Sequence, residues 1–192
     1  MFDSMQVLRI GNVRQQAAYH AIQKLEIMEA LAAYHPTLCG TMPLEIDVEG
    51  SDLDIIMEVE DFDHFKKDVM RLYQNKEGFR LKEKMIRGNH VVKANFLFLD
   101  FEFELFGQAL PVTEQNAYIH MVIEHTLLKH NPSIKEKVIA LKQEGMKTEP
   151  AFCMVLGING NDPYQKLIEY GKQLKLVKGI GILESFPNTK QQ

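Results

Sequence analysis

Two short stretches of this 192-residue chain place acidic side chains where they could act together. Over residues 53–59 apolar and polar residues alternate with the period of a β-strand, and Asp52 and Asp54 stand two apart on one face. Glu58 and Glu60 share that face, Leu53, Ile55, Met57 and Val59 turn the other way, and Ile56 breaks the alternation. Like charges on one face repel, and burial would raise a carboxyl pKa further. A divalent cation removes the conflict, and magnesium favours a few carboxylate oxygens together with substrate phosphates. Residues 96–106 repeat the theme. Leu97, Leu99, Phe101, Phe103 and Leu105 make one apolar face, while Asp100, Glu102 and Glu104 share the other with Phe96, Phe98 and Phe106. A face turned only to water rarely carries three phenylalanines. If the two acidic faces are neighbours in one sheet, they converge on one cation site. The competing reading is a solvated strand edge, or acids paired with Arg80, Lys82 and Lys84, which share a face of a preceding strand.

The elements that must hold these residues follow from periodicity and punctuation. Residues 12–35 read as one long helix, with Ala18, Ala21, Ile22, Leu25, Met28, Leu31 and Ala32 at three- and four-residue steps and Pro36 as its stop. Residues 38–46 are short and apolar, punctuated by Gly40 and Pro43, and 44–48 look strand-like. Asp61 caps a helix of about 15 residues ending near Asn75. Residues 79–87, 90–99 and 101–106 read as strands, with Gly88-Asn89 as a turn. After Pro111 only helices follow, opened by Thr113 with Gln115, by Ser133, by Thr148-Glu149-Pro150 and near Asp162. The expected architecture is α+β: a mixed β-sheet flanked by helices, with a C-terminal helical part. Residues 1–110 form the core, 111–179 a helical part packed on it, and 180–192 a loosely held tail.

In Cys39-Gly40-Thr41, then a spacer over 42–51, then Asp52-Leu53-Asp54-Ile55, the sequence resembles the nucleotidyltransferase superfamily, the DNA polymerase beta-like fold. The spacing is similar to that of eukaryotic poly(A) polymerases. The resemblance implies a third carboxylate on a later neighbouring strand, where Glu102 fits and Glu104 is the alternative. It departs from the pattern in having Thr41 for the usual Ser or Gly, strand-like residues where a helix would follow, and Glu for the third Asp. A wider pattern is similar to a group of uncharacterised bacterial proteins of this fold, over about residues 8–173. It comprises Gly11-Asn12-x-Arg14-Gln15, Gly40-Thr41-x-Pro43, Glu102-Phe103-Glu104-Leu105-Phe106-Gly107-Gln108, Gln115-Asn116-Ala117-Tyr118, Lys147-Thr148-Glu149-Pro150-Ala151-Phe152 and Asp162-Pro163-Tyr164.

The expected activity is transfer of a nucleoside monophosphate from a nucleoside triphosphate to a hydroxyl acceptor. Asp52 and Asp54 would hold two magnesium ions and Glu102 would complete the ion at the attacking hydroxyl, with Glu104 as a further ligand. Gly40 lets backbone approach the phosphates, Thr41 and Ser51 offer hydroxyls, and Lys82, Lys84 or Lys93 would balance the leaving pyrophosphate. The alternative is a protein of the same fold that binds nucleotide or a partner and catalyses nothing.

Composition bounds these readings. Hydrophobic residues make up 45% and charged residues 25%, which excludes a disordered chain. No stretch approaches the ~18 apolar residues of a membrane span. The first residues lack a basic segment followed by an apolar one, so a cytoplasmic protein with Cys39 and Cys153 reduced is expected. A net charge of -4 favours a small-molecule or protein acceptor over a long nucleic acid. His120 and Glu124, one helical turn apart, lack an evident third ligand and read as packing or solvent-facing residues. Arg14 and Gln15 could reach an anion or form a polar first turn. Lys172, Lys175 and Lys178 read as a solvated helix face, and Gly179-Ile180-Gly181 has no phosphate-loop context.

Overall fold

Two tight hairpins build most of the sheet in the computed structural model, which describes residues 2–176. Strands β3 (Glu77–Ile86) and β4 (Asn89–Phe98) are antiparallel, joined at Arg87 and Gly88, both in the left-handed region at φ 50° and 82°. That pair of conformations matches the right-handed twist of the flanking strands. β4 returns into β5 (Phe101–Gln108) through Leu99 and Asp100, again both left-handed. β2 (Leu53–Glu58) lies parallel to β5, and β1 (Thr37–Cys39) lies antiparallel to β2, giving the order β1-β2-β5-β4-β3. The fold is α+β, with a five-stranded mixed sheet and eight α-helices among the described residues.

One face of the sheet carries the core. Leu53, Ile55 and Met57 of β2, Val92, Ala94 and Phe96 of β4, and Phe103 and Leu105 of β5 are buried there. Helix α4 (Phe62–Tyr73) adds Phe65, Val69 and Tyr73 to the same core, capped by Asp61, whose side chain accepts from the backbone amide of His64 at 2.9 Å. Tyr73, Phe96 and Phe103 stack in series with ring centroids 5.1 and 5.3 Å apart. Helices α1 (Ser4–Ile10) and α2 (Val13–Lys24) contribute Leu8, Ala18, Ala21 and Ile22.

Three expectations fail here. The helix over 12–35 is interrupted: α2 stops at Lys24, Glu26 turns left-handed at φ 52°, and α3 (Ile27–Ala30) and a 3-10 turn (Ala32–Tyr34) follow. The apolar rhythm persists across the break because both pieces pack on the same core, so periodicity alone cannot mark it. Residues 44–48 are not strand; β1 ends at Cys39, and Met42–Leu44 form a 3-10 turn closed by left-handed Glu45. Finally, the alternation of faces does not run unbroken over 96–106. The turn at Leu99-Asp100 resets the alternation, so Phe96 pairs with Phe103 on the core face, and 43%-exposed Leu97 pairs with Glu102 on the acidic one.

The described residues fall into two compact units, one ending at Tyr118 and one beginning at Ile119. Helix α5 (Asn116–His130) crosses that boundary; α6 (Ile134–Gln143), α7 (Thr148–Leu156) and α8 (Pro163–Gln173) belong to the second, with α7 beside α6 and α8. Asp162 caps α8 by accepting from the amide of Gln165 at 3.2 Å. Lys178, the Gly179-Ile180-Gly181 stretch and the expected tail over 180–192 lie outside the described residues.

Candidate metal and nucleotide site

The parallel pairing of β2 with β5 sets the site. Leu53 pairs with Phe103 and Asp54 with Glu104, so the Asp54 and Glu104 side chains stand side by side on the face opposite the core. Asp52, two residues earlier, shares that face. One carboxylate oxygen from each of Asp52, Asp54 and Glu104 lies within 4.8 Å of the other two, and all three residues are half-buried. This is the one group of three or more potential metal donors among the described residues. Its donors are all hard oxygens, which fits magnesium or manganese and does not fit a zinc site built on thiolate and imidazole.

Glu102, the first choice for the third carboxylate, is not in that group. It lies one pleat repeat away, where its Oε1 accepts from Arg80 Nη2 at 2.9 Å and from Asn95 Nδ2 at 3.3 Å. Which of two acids on one face reaches Asp54 depends on the register between β2 and β5, and no local pattern encodes that register.

Gly40 closes the site from the other side. Cys39 of β1 is the pairing partner of Asp54, and the chain then turns at Gly40 with φ +79°. A Cβ on residue 40 would sit 2.3 Å from Asp54 Oδ2, so this position needs glycine for both its conformation and its space. Burial first, and then the Asp54 charge, push the Cys39 thiol far above its ordinary range, so it stays protonated and unreactive. Thr41 is half-buried and precedes the 3-10 turn. Ser51 spends its hydroxyl locally, with Oγ accepting from the Val48 amide at 2.9 Å.

Gln15 takes the second of the two roles the sequence left open, a polar residue of the first helical turn. It does not reach an anion; it is fully buried, and its Nε2 donates to the Met42 carbonyl at 2.9 Å, tying helix α2 to the loop after Gly40. Its Oε1 also accepts from the Asn12 amide at 2.9 Å in a capping box, and the Asn-x-x-Gln spacing was the available signal. Arg14 pairs with Asp47 at 2.7 Å and lies 5.5 Å over the Phe101 ring. Lys82, Lys84 and Lys93 occupy the same sheet face as the acids. Lys84 pairs across with Val91 and Lys82 with Lys93, and Lys93 makes an ion pair with Glu104.

The helical unit holds a second titratable cluster. His120 Nε2 lies 2.9 Å from the Tyr164 carbonyl, which can only accept, and Nδ1 lies 3.3 Å from Glu149. Both ring nitrogens therefore face acceptors, and the ring is best satisfied as imidazolium. Burial works to lower the His120 pKa, and the hydrogen bond and charge of Glu149 more than reverse it. Burial works to raise Glu149, and His120 holds it below the ordinary carboxyl range. Glu124 is pushed up to about 8, by burial first and by Glu149 second, against His120 and Lys142. Its Oε1 is buried with no hydrogen-bond partner among the described residues.

The sign follows from proton uptake. Folded Glu124 keeps a proton that the unfolded chain releases above its ordinary 4.5, so stability falls as pH climbs from there to about 8. His120 adds loss in the same direction, as the pH rises through its raised folded pKa. The lowered carboxyl of Glu149 contributes stability that is lost only as pH falls below the ordinary range. Glu124→Gln is expected to melt close to the parent near pH 5. Near pH 9 it should melt above the parent by at least the ~2–4 °C that one kcal/mol is worth in a chain of this size. Parallel melting curves for the two proteins across that range would refute the assignment.

The sheet order, with its acidic β2 beside β5 and helices against the opposite face, is the nucleotidyltransferase fold. Solved structures like it include the Cid1 poly(U) polymerase with MgGTP bound (13% identity, TM-score 0.52, 80% of this chain and 52% of that one). Cid1 in complex with the UTP analog UMPNPP matches with 14% identity and a TM-score of 0.51, over 80% of this chain and 51% of that one. The GLD-2/RNP-8 complex matches with 14% identity and a TM-score of 0.51, over 79% of this chain and 57% of that one. At such identities the likeness is one of fold, and the chain spans little more than half the length of these structures. The family model described as Domain of unknown function (DUF4269) matches residues 20–170, and the chain belongs to that family. No curated protein matches the sequence. Among the described residues no helix is long and apolar enough to cross a membrane.

Proposed function

We propose that the chain is a divalent-metal-dependent nucleotidyltransferase that moves a nucleoside monophosphate from a nucleoside triphosphate to a hydroxyl acceptor. The observation that carries this is the convergence of Asp52, Asp54 and Glu104 beside Gly40 on a nucleotidyltransferase fold. Asp52, Asp54 and Glu104 would hold magnesium or manganese, which when bound supplies charge stabilisation to the attacking and leaving oxygens. Gly40, lacking a Cβ, leaves room for the Asp54 carboxylate that packs against it. Lys82, Lys84 and Lys93, on the same face, offset the charge of the triphosphate tail. The acceptor oxygen bonds to the α-phosphorus, the bond to the β-phosphate oxygen breaks, and pyrophosphate leaves. The hydroxyl proton passes to a carboxylate oxygen of Glu104. With a net charge of -4, a small-molecule or protein hydroxyl suits the chain better than a long nucleic acid.

A second reading draws on the ion pairs of Glu104 with Lys93 and Glu102 with Arg80: acids neutralised by cations, in a protein that binds nucleotide or a partner without chemistry. Two variants separate the readings. In calorimetric titration with manganese, Glu104→Gln is expected to bind at least ~10-fold more weakly than the parent, as loss of a metal ligand should cost no less than loss of a supporting group. Glu102→Gln should stay close to the parent, and pyrophosphate release with a mixture of triphosphates should follow the same order. Equal affinities in both variants would leave the catalytic reading without its third ligand.

A further inference from the structure

The ion pair between Lys93 and Glu104 places a monovalent side-chain cation on the carboxylate that completes the three-donor group. The pair is partly withdrawn from water, with side-chain exposures of 30% for Lys93 and 16% for Glu104, so it is screened less than a pair on an open surface. An ammonium carries one charge, against the two of a divalent ion, and cannot neutralise three carboxylates. A divalent ion comes closer, and it would draw on the same Glu104 carboxylate that Lys93 holds. The two cations therefore compete for the charge of one side chain.

A separate observation says where the ammonium would go. Lys82 is the direct cross-strand partner of Lys93, on the same face. Like charges directly opposite one another destabilise a strand pair. The contact with Glu104 offsets that repulsion for Lys93, while Lys82 has no ion pair among the described residues. Two ammoniums left facing each other beside an acidic metal site are matched by one kind of group, a phosphate chain bearing more than one negative charge.

We propose that Lys93 holds Glu104 until a divalent cation displaces it, and that the released Lys93 then joins Lys82 in binding the outer phosphates of a nucleoside triphosphate. This rests on the metal-site reading above and adds an exchange to it. The side chain that opposes the cation in the absence of nucleotide assists the nucleotide once the cation is in place. Nucleotide and metal thus bind cooperatively through one lysine.

The test uses the full chain and two titrations. Without nucleotide, Lys93→Met is expected to bind manganese at least ~5-fold more tightly than the parent, the lower end of ordinary coupling between sites. At saturating manganese, the same variant should bind a non-hydrolysable triphosphate analogue more weakly by a similar factor. Lys82→Met should show only the second effect, and Lys93→Gln keeps the test available if the Met variant does not fold. Manganese affinity in Lys93→Met equal to or below that of the parent overturns the exchange, as does unchanged affinity for the analogue. Asp54→Asn tells the two levels apart. If it abolishes manganese binding while Lys93→Met fails to tighten it, the exchange alone falls. If Asp54→Asn binds manganese as the parent does, the metal site falls and the exchange with it.

Discussion

The double change Asp52→Asn and Asp54→Asn is expected to yield a protein at least as stable as the metal-free parent, with no rise in melting temperature on adding magnesium and no transfer activity. The two carboxylates share a face with Glu104 and crowd three negative charges together. Amides of the same size keep the shape and remove that repulsion, while Glu104 retains its contact with Lys93. A ligand that binds only the folded state stabilises it by RT ln(1 + [L]/Kd), about 2.7 kcal/mol at a hundredfold excess over Kd. For a chain of this size that is a rise of roughly 5–10 °C in the parent. A structural role for the acids predicts the reverse: the double mutant loses stability and the parent ignores magnesium. Thermal melts of both proteins near neutral pH, with and without the ion, decide the matter.

Gly40→Ala should cost both stability and metal affinity, and Gly50→Ala only stability. Both glycines adopt φ +79°, where an added side chain strains the backbone by about 1–2 kcal/mol. Around Gly50 a Cβ would meet nothing within 4 Å, whereas at Gly40 it would press on Asp54 Oδ2 at 2.3 Å. The difference between the variants isolates the contact with Asp54 from the strain common to both. The cost at Gly40 must be taken as strain or as displacement of Asp54, so Gly40→Val, with its branched side chain, is expected to lose fold as well as affinity. Manganese affinity that is equal in the two alanine variants would show that Gly40 serves the turn alone.

What the sequence disclosed was what is encoded locally. The alternation at 53–59 located β2, Asp61 announced α4, Gly88 marked the first hairpin, and Ser133, Thr148 and Asp162 stand at or just before the starts of their helices. The acids of the site were legible as a face of alternating residues. What stayed hidden was how distant segments align. Glu104 rather than Glu102 stands beside Asp54 because of the β2–β5 register, and Gln15 meets Met42 only after α2 has docked. Leu99 and Asp100 form a tight turn with no glycine to betray it, which is why the apolar and acidic faces read as continuous across it. His120 and Glu124 lacked a visible third partner because Glu149 arrives from another helix.

The parallel contact between β2 and β5 also bears on how the site comes into being. Helix α4 and the strands β3 and β4 separate these neighbours in the chain, while β3, β4 and β5 follow one another through two-residue turns. Ordering a long intervening segment carries an entropic cost that is met only when the distant strands finally pair, so short-range hairpins have the kinetic advantage. A nascent or refolding chain can thus hold the hairpins, with Glu104 already opposite Asn95, while Asp52 and Asp54 are still elsewhere. The three-carboxylate cluster is absent from every such intermediate and appears only when β2 inserts between β1 and β5. The meeting of Asp52, Asp54 and Glu104 is, in this protein, a late product of folding.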